Sequence, residues 1–125
     1  ITNNMANHFH KYLGPEDKLQ NAVMDYIAVQ YPDVLAAHIP NEGKRTPFER
    51  FKFKYLGGKA GIPDVMVFRP SGDYVGLAIE LKAGRNKPTE AQKQWLEELE
   101  NNGWSAHCLN SFEGCKQTID KYFKK

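Results

Sequence analysis

The stretch Gly61-Ile62-Pro63-Asp64-Val65-Met66-Val67-Phe68, followed after a turn by Tyr74-Val75-Gly76-Leu77-Ala78-Ile79-Glu80-Leu81-Lys82, decides how this chain is read. Val65 to Phe68 is a short apolar run entered through glycine and proline, which predicts a strand. Ser71-Gly72-Asp73 has turn chemistry, so Tyr74 to Lys82 is predicted as the second strand of a hairpin. Side chains alternate faces along a strand. Val75, Leu77, Ile79 and Leu81 therefore share one face, and Gly76, Ala78, Glu80 and Lys82 the other. Glu80 and Lys82 project together, about 6–7 Å apart along the strand, and the two small residues before them leave that face open. In a hairpin the head of one strand lies beside the tail of the next, which places Asp64 close to Glu80.

An acid and a lysine at a strand end can be a plain salt bridge. Two neighbouring carboxylates, however, repel unless they share a proton or a cation. Oxygen-only ligands with open positions suit Mg2+ or Mn2+, which keep waters and bind substrate phosphates. Lys82 beside such an ion would lower the pKa of an attacking water and offset charge that grows in the transition state.

Working outward, a helix is predicted from Pro15 to about Gln30, because Leu19, Val23, Tyr26 and Ile27 recur at helical spacing and Tyr31-Pro32 ends the pattern. Glu16 falls on this apolar stripe and Asp17 on the outer face. Glu16 has two readings: an anion favoured by the helix dipole in the first turn, or a ligand to metal or water. Val34 to Ile39 is a predicted strand. Thr46-Pro47-Phe48-Glu49 is a capping box with proline at the first helical position, opening a helix to about Leu56. Phe51, Phe53 and Tyr55 do not fit one face of that helix, so it is either buried on two sides, as at a dimer interface, or not a helix. Thr89 and Gln92 form a second capping box for a helix ending near Asn102. Gln92 also aligns with Trp95, Leu96 and Leu99 on the inner face, so capping and a site role both remain open. Trp104 to Leu109 is a predicted strand, and Ser111 caps a last helix to about Phe123. His38 and His107 fall on strands and are read as packed, and Trp95, Trp104, Phe51 and Tyr55 as core or interface.

The predicted order is αβαββαβα, a mixed α/β domain with a central sheet flanked by helices. Residues 1–14 read as a loose arm and 15–125 as one domain. At 125 residues, 41% hydrophobic and 26% charged, the chain suffices for a single core without staples. No run approaches the ~20 apolar residues of a membrane helix. Cys108 and Cys115 match no zinc pattern and read as reduced thiols, hence a cytoplasmic protein. The chain opens at Ile1 without a secretory leader, and its first residues read as a remnant or a fragment's end. The net charge of +2 says little, but its distribution says more. Lys44, Arg45, Arg50, Lys52, Lys54 and Lys59 face only Glu42 and Glu49 between Asn41 and Lys59, while Lys82, Arg85 and Lys87 form a second basic run. Segregated bases of this kind are either a solvated face or a surface for a polyanion.

Pro63-Asp64 with Glu80-Leu81-Lys82 resembles the PD-(D/E)xK nuclease pattern, and the wider context resembles its VRR-NUC (virus-type replication-repair nuclease) branch. The early helix has Glu16-Asp17-Lys18-Leu19-Gln20, a polar segment has Asn41-Glu42-Gly43, Gly61-Ile62-Pro63-Asp64 follows, and Gln92-Lys93-Gln94-Trp95 opens the helix after Glu80-Leu81-Lys82. The resemblance spans roughly Pro15 to Ser111. It implies a restriction-endonuclease-like core and Mg2+- or Mn2+-dependent hydrolysis of DNA phosphodiesters. Asp64, Glu80 and the Leu81 backbone carbonyl would hold metal, with Glu16 completing the site, directly or through water. Lys82 would be the catalytic lysine and Gln92 a supporting polar residue. Small stand-alone members resemble Holliday-junction resolvases and tend to be homodimers, so branched DNA, a homodimer, and a bacterial or phage-infected cytoplasm are the implied substrate, assembly and setting. Asn41, Lys44, Arg45, Arg50, Lys52, Lys54, Lys59, Arg85 and Lys87 are expected to touch DNA phosphates. The rival readings are a non-catalytic nucleic-acid-binding module and a nuclease subunit active only within a larger repair complex.

Overall fold

In a computed structural model, residues 8–40 and 45–124 are described. The elements are α1 (Pro15–Gln30), β1 (Ala36–His38), α2 (Pro47–Tyr55), β2 (Val65–Val67), β3 (Gly76–Leu81), α3 (Glu90–Asn101), β4 (Trp104–Leu109) and α4 (Phe112–Tyr122). Their order is the αβαββαβα expected from the sequence. Within the segment read as an arm, residues 8–10 are helical and the Phe9 carbonyl accepts the Tyr12 N–H at 3.0 Å. Asn41 and Lys44 lie outside the described residues.

The four strands form one sheet in the order β1-β2-β3-β4. β1 and β3 are both antiparallel to β2, and β4 runs parallel to β3. A parallel pair needs a crossover between its strands, and α3 supplies it. The predicted hairpin forms with Val65 opposite Ile79 and Val67 opposite Leu77. Its second strand starts at Gly76 rather than Tyr74. Val75 is half exposed, because its N–H turns to the Gly103 carbonyl instead of continuing the β2 ladder.

Period-two alternation sorts the sheet into two packed faces. Val65, Val67, Leu77, Ile79 and Leu81 meet Val23 and Ile27 of α1 and Cys115, Ile119 and Tyr122 of α4. Met66 and Ala78 meet Leu99 of α3, with Trp95, Trp104, Ile39 and Ala106 around them. All six residues of β3 are buried, as expected for a strand covered on both faces. Each large aliphatic side chain enclosed there contributes about 1.5–3 kcal/mol. Gly76 is required at the start of β3, since a Cβ there would lie 2.4 Å from the Trp104 ring.

The helix starts follow their sequence signals. Thr46 Oγ1 accepts the Glu49 N–H while Glu49 Oε1 accepts the Thr46 N–H. Ser111 Oγ accepts the Gly114 N–H. On α1, Asp17 reaches back to the Gly14 N–H, leaving Glu16 available to the domain. α2 is a helix, but none of its residues is buried. Of the reading of Phe51 and Tyr55 as core or interface, the core half is corrected: both are exposed, and among the described residues no sheet face lies beneath this helix.

Candidate active site

Asp64 enters β2 directly after Pro63 and is almost fully buried, at 3% exposure. Two neighbours fix its backbone: the Ile39 N–H donates to its carbonyl, and His38 Nδ1 lies 2.9 Å from the same oxygen. Its side chain is fixed as well, Oδ2 accepting the Leu81 N–H at 2.8 Å. Asp64 thus ties the head of β2 to the end of β3, the juxtaposition that the hairpin predicts. Gly61 permits the approach to this position. It has φ +94°, and a Cβ there would lie 2.8 Å from the Ala91 backbone, so only glycine lets the segment lie against the first turn of α3.

Glu80 projects from β3 with no exposed surface. Lys82 follows it on the same face, and its Nζ lies 3.6 Å from Glu80 Oε2. A buried charge is costly unless paired, so this face of an otherwise apolar strand concentrates charge for a reason other than stability. Glu16, on the first turn of α1, completes the group. One carboxylate oxygen from each of Glu16, Asp64 and Glu80 lies within 4.8 Å of the others. Three acids from three elements therefore converge at one end of the sheet, with a lysine beside them. Oxygen-only donors of high negative charge fit a hard divalent cation such as Mg2+ or Mn2+.

An open cleft of about 760 Å³ gives access to this group, lined among others by Glu16, Gln20, Asn21, His38, Pro40 and Asp64. His38 was expected to be packed. It is exposed on the cleft wall, at the end of the edge strand β1, whose Ala36 and Ala37 are half-buried. The signal that could have found it is strand order: once β1 lies antiparallel to β2, His38 falls opposite Val65 and beside Asp64. His107 does sit half-buried, with Nε2 2.8 Å from Ser105 Oγ, and burial lowers its pKa.

Gln92 is buried on α3, and its Oε1 accepts the Thr89 N–H at 2.8 Å while its own N–H donates to Thr89 Oγ1. The capping role weighed from the sequence is thus in place. Leu81 ends β3, and its N–H is the group that engages Asp64. Cys108 lies opposite Glu80 across the parallel pair. Burial and then the Glu80 charge push its thiol up from its ordinary value, which keeps it protonated and a poor nucleophile or ligand.

Arg50, Lys52, Lys54, Lys59, Arg85 and Lys87 are all exposed. Arg85 and Lys87 lie three and five residues beyond Lys82, within about 18 Å of it along the chain. Arg45 is partly covered, its guanidinium 4.0 Å above the Phe53 ring, and Arg50 Nη1 donates to the Arg45 carbonyl.

A family model described as the VRR-NUC domain matches residues 5–113. A solved structure titled "VRR_NUC domain protein" is 30% identical, covers 90% of both chains and superposes with a TM-score of 0.73. Another, titled "VRR_NUC domain", is 20% identical with a TM-score of 0.60, covering 88% of this chain and 99% of that one. A search of curated proteins returned no match.

Proposed function

This chain belongs to the VRR-NUC family, and from that premise we propose that it is an Mg2+- or Mn2+-dependent endonuclease that hydrolyses DNA phosphodiesters. The observation that carries the reading is the convergence of Glu16, Asp64 and Glu80 beside Lys82. Asp64 and Glu80, with the Leu81 carbonyl, would hold the cation, and Glu16 would complete its shell directly or through water. When bound, the cation supplies Lewis acidity toward a phosphoryl oxygen and toward water.

The chain's own residues do the rest. The Leu81 N–H fixes the Asp64 carboxylate in one rotamer, so the acid is positioned before any ligand arrives. The Lys82 ammonium places a positive charge where a water attacks phosphorus and the leaving oxygen's bond breaks. That charge favours loss of the water's proton to solvent, from which the leaving oxygen regains one, and offsets the negative charge developing on the phosphoryl oxygens. His38 offers a ring nitrogen on the cleft wall, held by the Asp64 carbonyl. Arg85 and Lys87, with Arg45, Arg50, Lys52, Lys54 and Lys59, bind backbone phosphates. Such contacts position the duplex and carry no sequence information.

Branched DNA is the proposed substrate and a homodimer the proposed assembly, both on the strength of the family resemblance. A two-fold dimer would present two sites to two strands. The experiment is cleavage of labelled four-way junction, flap and plain duplex with Mg2+, Mn2+ or EDTA, beside Asp64→Asn and Lys82→Ala. Metal-dependent cutting that both substitutions abolish supports the reading, and the substrate ranking gives the DNA class. Binding without cutting under any metal would leave a nucleic-acid-binding module, with Glu80 and Lys82 as a buried salt bridge.

A further inference from the structure

α2 stands apart from the rest of the domain. None of its residues is buried, and among the described residues it has no substantial packing against the sheet or the other helices. Isolated helices shorter than about 12–15 residues are marginal in water, and this one has 9 residues. Its inner side is held by its own flanks: Arg45 covers the Phe53 ring, Gly58 abuts that ring, and Arg50 bonds back to the Arg45 carbonyl. The outer side presents Phe48, Phe51, Lys52 and Tyr55, which share one stripe at helical spacing. The three aromatics are 62–77% exposed, and the Phe51 and Tyr55 rings are stacked, with centroids 5.8 Å apart and planes 24° apart.

The stripe is also cationic and tethered to the cleft. Arg45, Arg50, Lys52, Lys54 and Lys59 are opposed only by Glu49 in this segment. The chain leaves the cleft at Pro40 and returns to it at Asp64. Thr46 is six residues from Pro40 and Leu56 eight from Asp64, so the ends of α2 stay within about 22 Å and 29 Å of the cleft. A second copy is a poor match for this surface. It would set lysine against lysine, and a helix about 14 Å long offers far less than the ~1,200 Å² that specific protein interfaces bury. A polyanion with flat apolar rings matches both the charge and the aromatic faces. In a duplex those rings already stack on one another, so only unpaired bases offer them.

We propose that α2 is a stacking platform for unpaired bases, which directs DNA carrying single-stranded segments to the adjacent cleft. The proposal rests on the nucleic-acid reading above and adds the chemistry by which a substrate with unpaired bases is chosen. Each base stacked on an aromatic side chain strengthens binding by roughly five- to a hundredfold, irrespective of sequence.

The test is binding in EDTA of a 20-nucleotide single strand containing 2-aminopurine, and of a blunt duplex of equal length. The proteins are wild type, Phe51→Leu/Tyr55→Leu, and Tyr55→Phe. Leucine keeps an apolar face but removes the rings. The double variant should lose single-strand affinity about tenfold or more and abolish the change in base fluorescence, while Tyr55→Phe keeps both and duplex affinity moves less than twofold. Unchanged melting by circular dichroism checks the fold. Equal losses for both DNAs, or no loss, overturn the proposal. So does a wild-type dimer in sedimentation that the leucine pair weakens, which would make the stripe a protein interface. Cleavage in Mn2+ is scored separately. Ring-dependent single-strand binding without cutting under any metal supports the platform and overturns the nuclease reading. Duplex cutting with no ring-dependent single-strand preference does the reverse.

Discussion

Asp64 carries two jobs that substitution can separate. Its Oδ2 accepts the Leu81 N–H, and an asparagine oxygen preserves that bond while removing one of three converging charges. Asp64→Asn should therefore fold, and in EDTA its melting midpoint should rise by a few degrees as carboxylate repulsion is relieved. It should lose any stabilisation that Mn2+ gives the wild type, and its cleavage should fall at least about a hundredfold. Thermal melts with and without Mn2+, beside a cleavage assay, check all three; a midpoint that falls in EDTA would mean Asp64 is structural. Lys82→Ala should lose cleavage to a similar degree yet keep the metal-induced shift in melting. The Asp64–Glu80 contact was legible in the sequence, because hairpin connectivity alone sets strand head against strand tail. Spacing alone left Glu16 open, since it fits a helix-dipole anion equally well; the family resemblance pointed to it, and the path of α1 brings it within 4.8 Å of the other acids. His38 escaped for a related reason: its exposure depends on β1 being an edge strand, which sequence order does not state.

Between elements, α1 and α4 are joined by a polar clamp on the face opposite α3. Tyr26 and Tyr31 both donate their hydroxyls to Asp120 Oδ1 at 2.6 Å. Asp120→Ala removes the acceptor of two part-buried hydroxyls and should cost about 2–4 kcal/mol in urea denaturation; a loss under 1 kcal/mol would show that water replaces the carboxylate. The bond to Asp120, helped by burial and by the nearby Glu113, pushes the Tyr26 hydroxyl up to about 12. Burial and the same carboxylate raise Tyr31. Both folded values lie above the unfolded value of about 10. The neutral clamp's contribution is thus complete below pH 10 and lost as pH rises from 10 toward 12. Stability of the wild type should fall across that window, and Tyr26→Phe should flatten part of the fall. Gly61→Ala forces a side chain onto a φ of +94° and against the Ala91 backbone, three residues before Asp64. It should depress cleavage more than its stability loss explains, because the displaced segment carries the acid. Element order and caps were legible because threonine boxes, prolines and period-two runs are local signals. The isolation of α2 was not, since an aromatic helix looks the same in sequence whether a sheet covers it or nothing does.

On the scale of the whole molecule, the distribution of charge matters more than its sum. A net charge of +2 would give weak, diffuse attraction to DNA. Instead three acids are drawn inward to the Glu16–Asp64–Glu80 group, and four more gather along α3, where Glu90, Glu97, Glu98 and Glu100 are exposed. Exposed bases occur over much of the surface, but Arg50, Lys52, Lys54 and Lys59 gather on α2 and its flank, and Arg85 and Lys87 on the loop after β3. Each phosphate neutralised on a duplex releases counterions and adds about −0.9 to the slope of log affinity against log salt. If Arg85 and Lys87 each hold one phosphate, Arg85→Ala/Lys87→Ala should make the wild-type slope shallower by about two. The affected positions lie within about 18 Å of Lys82 along the chain, so the same variant should cut more slowly at low DNA concentration and recover at saturation. Neither change should alter melting, because both side chains are exposed. Anisotropy titrations in EDTA from about 50 to 200 mM salt, a range over which several phosphate contacts lose orders of magnitude in affinity, decide the matter. A wild-type slope near zero would remove DNA as the ligand, and an unchanged slope in the variant would move the phosphate contacts away from the loop after β3.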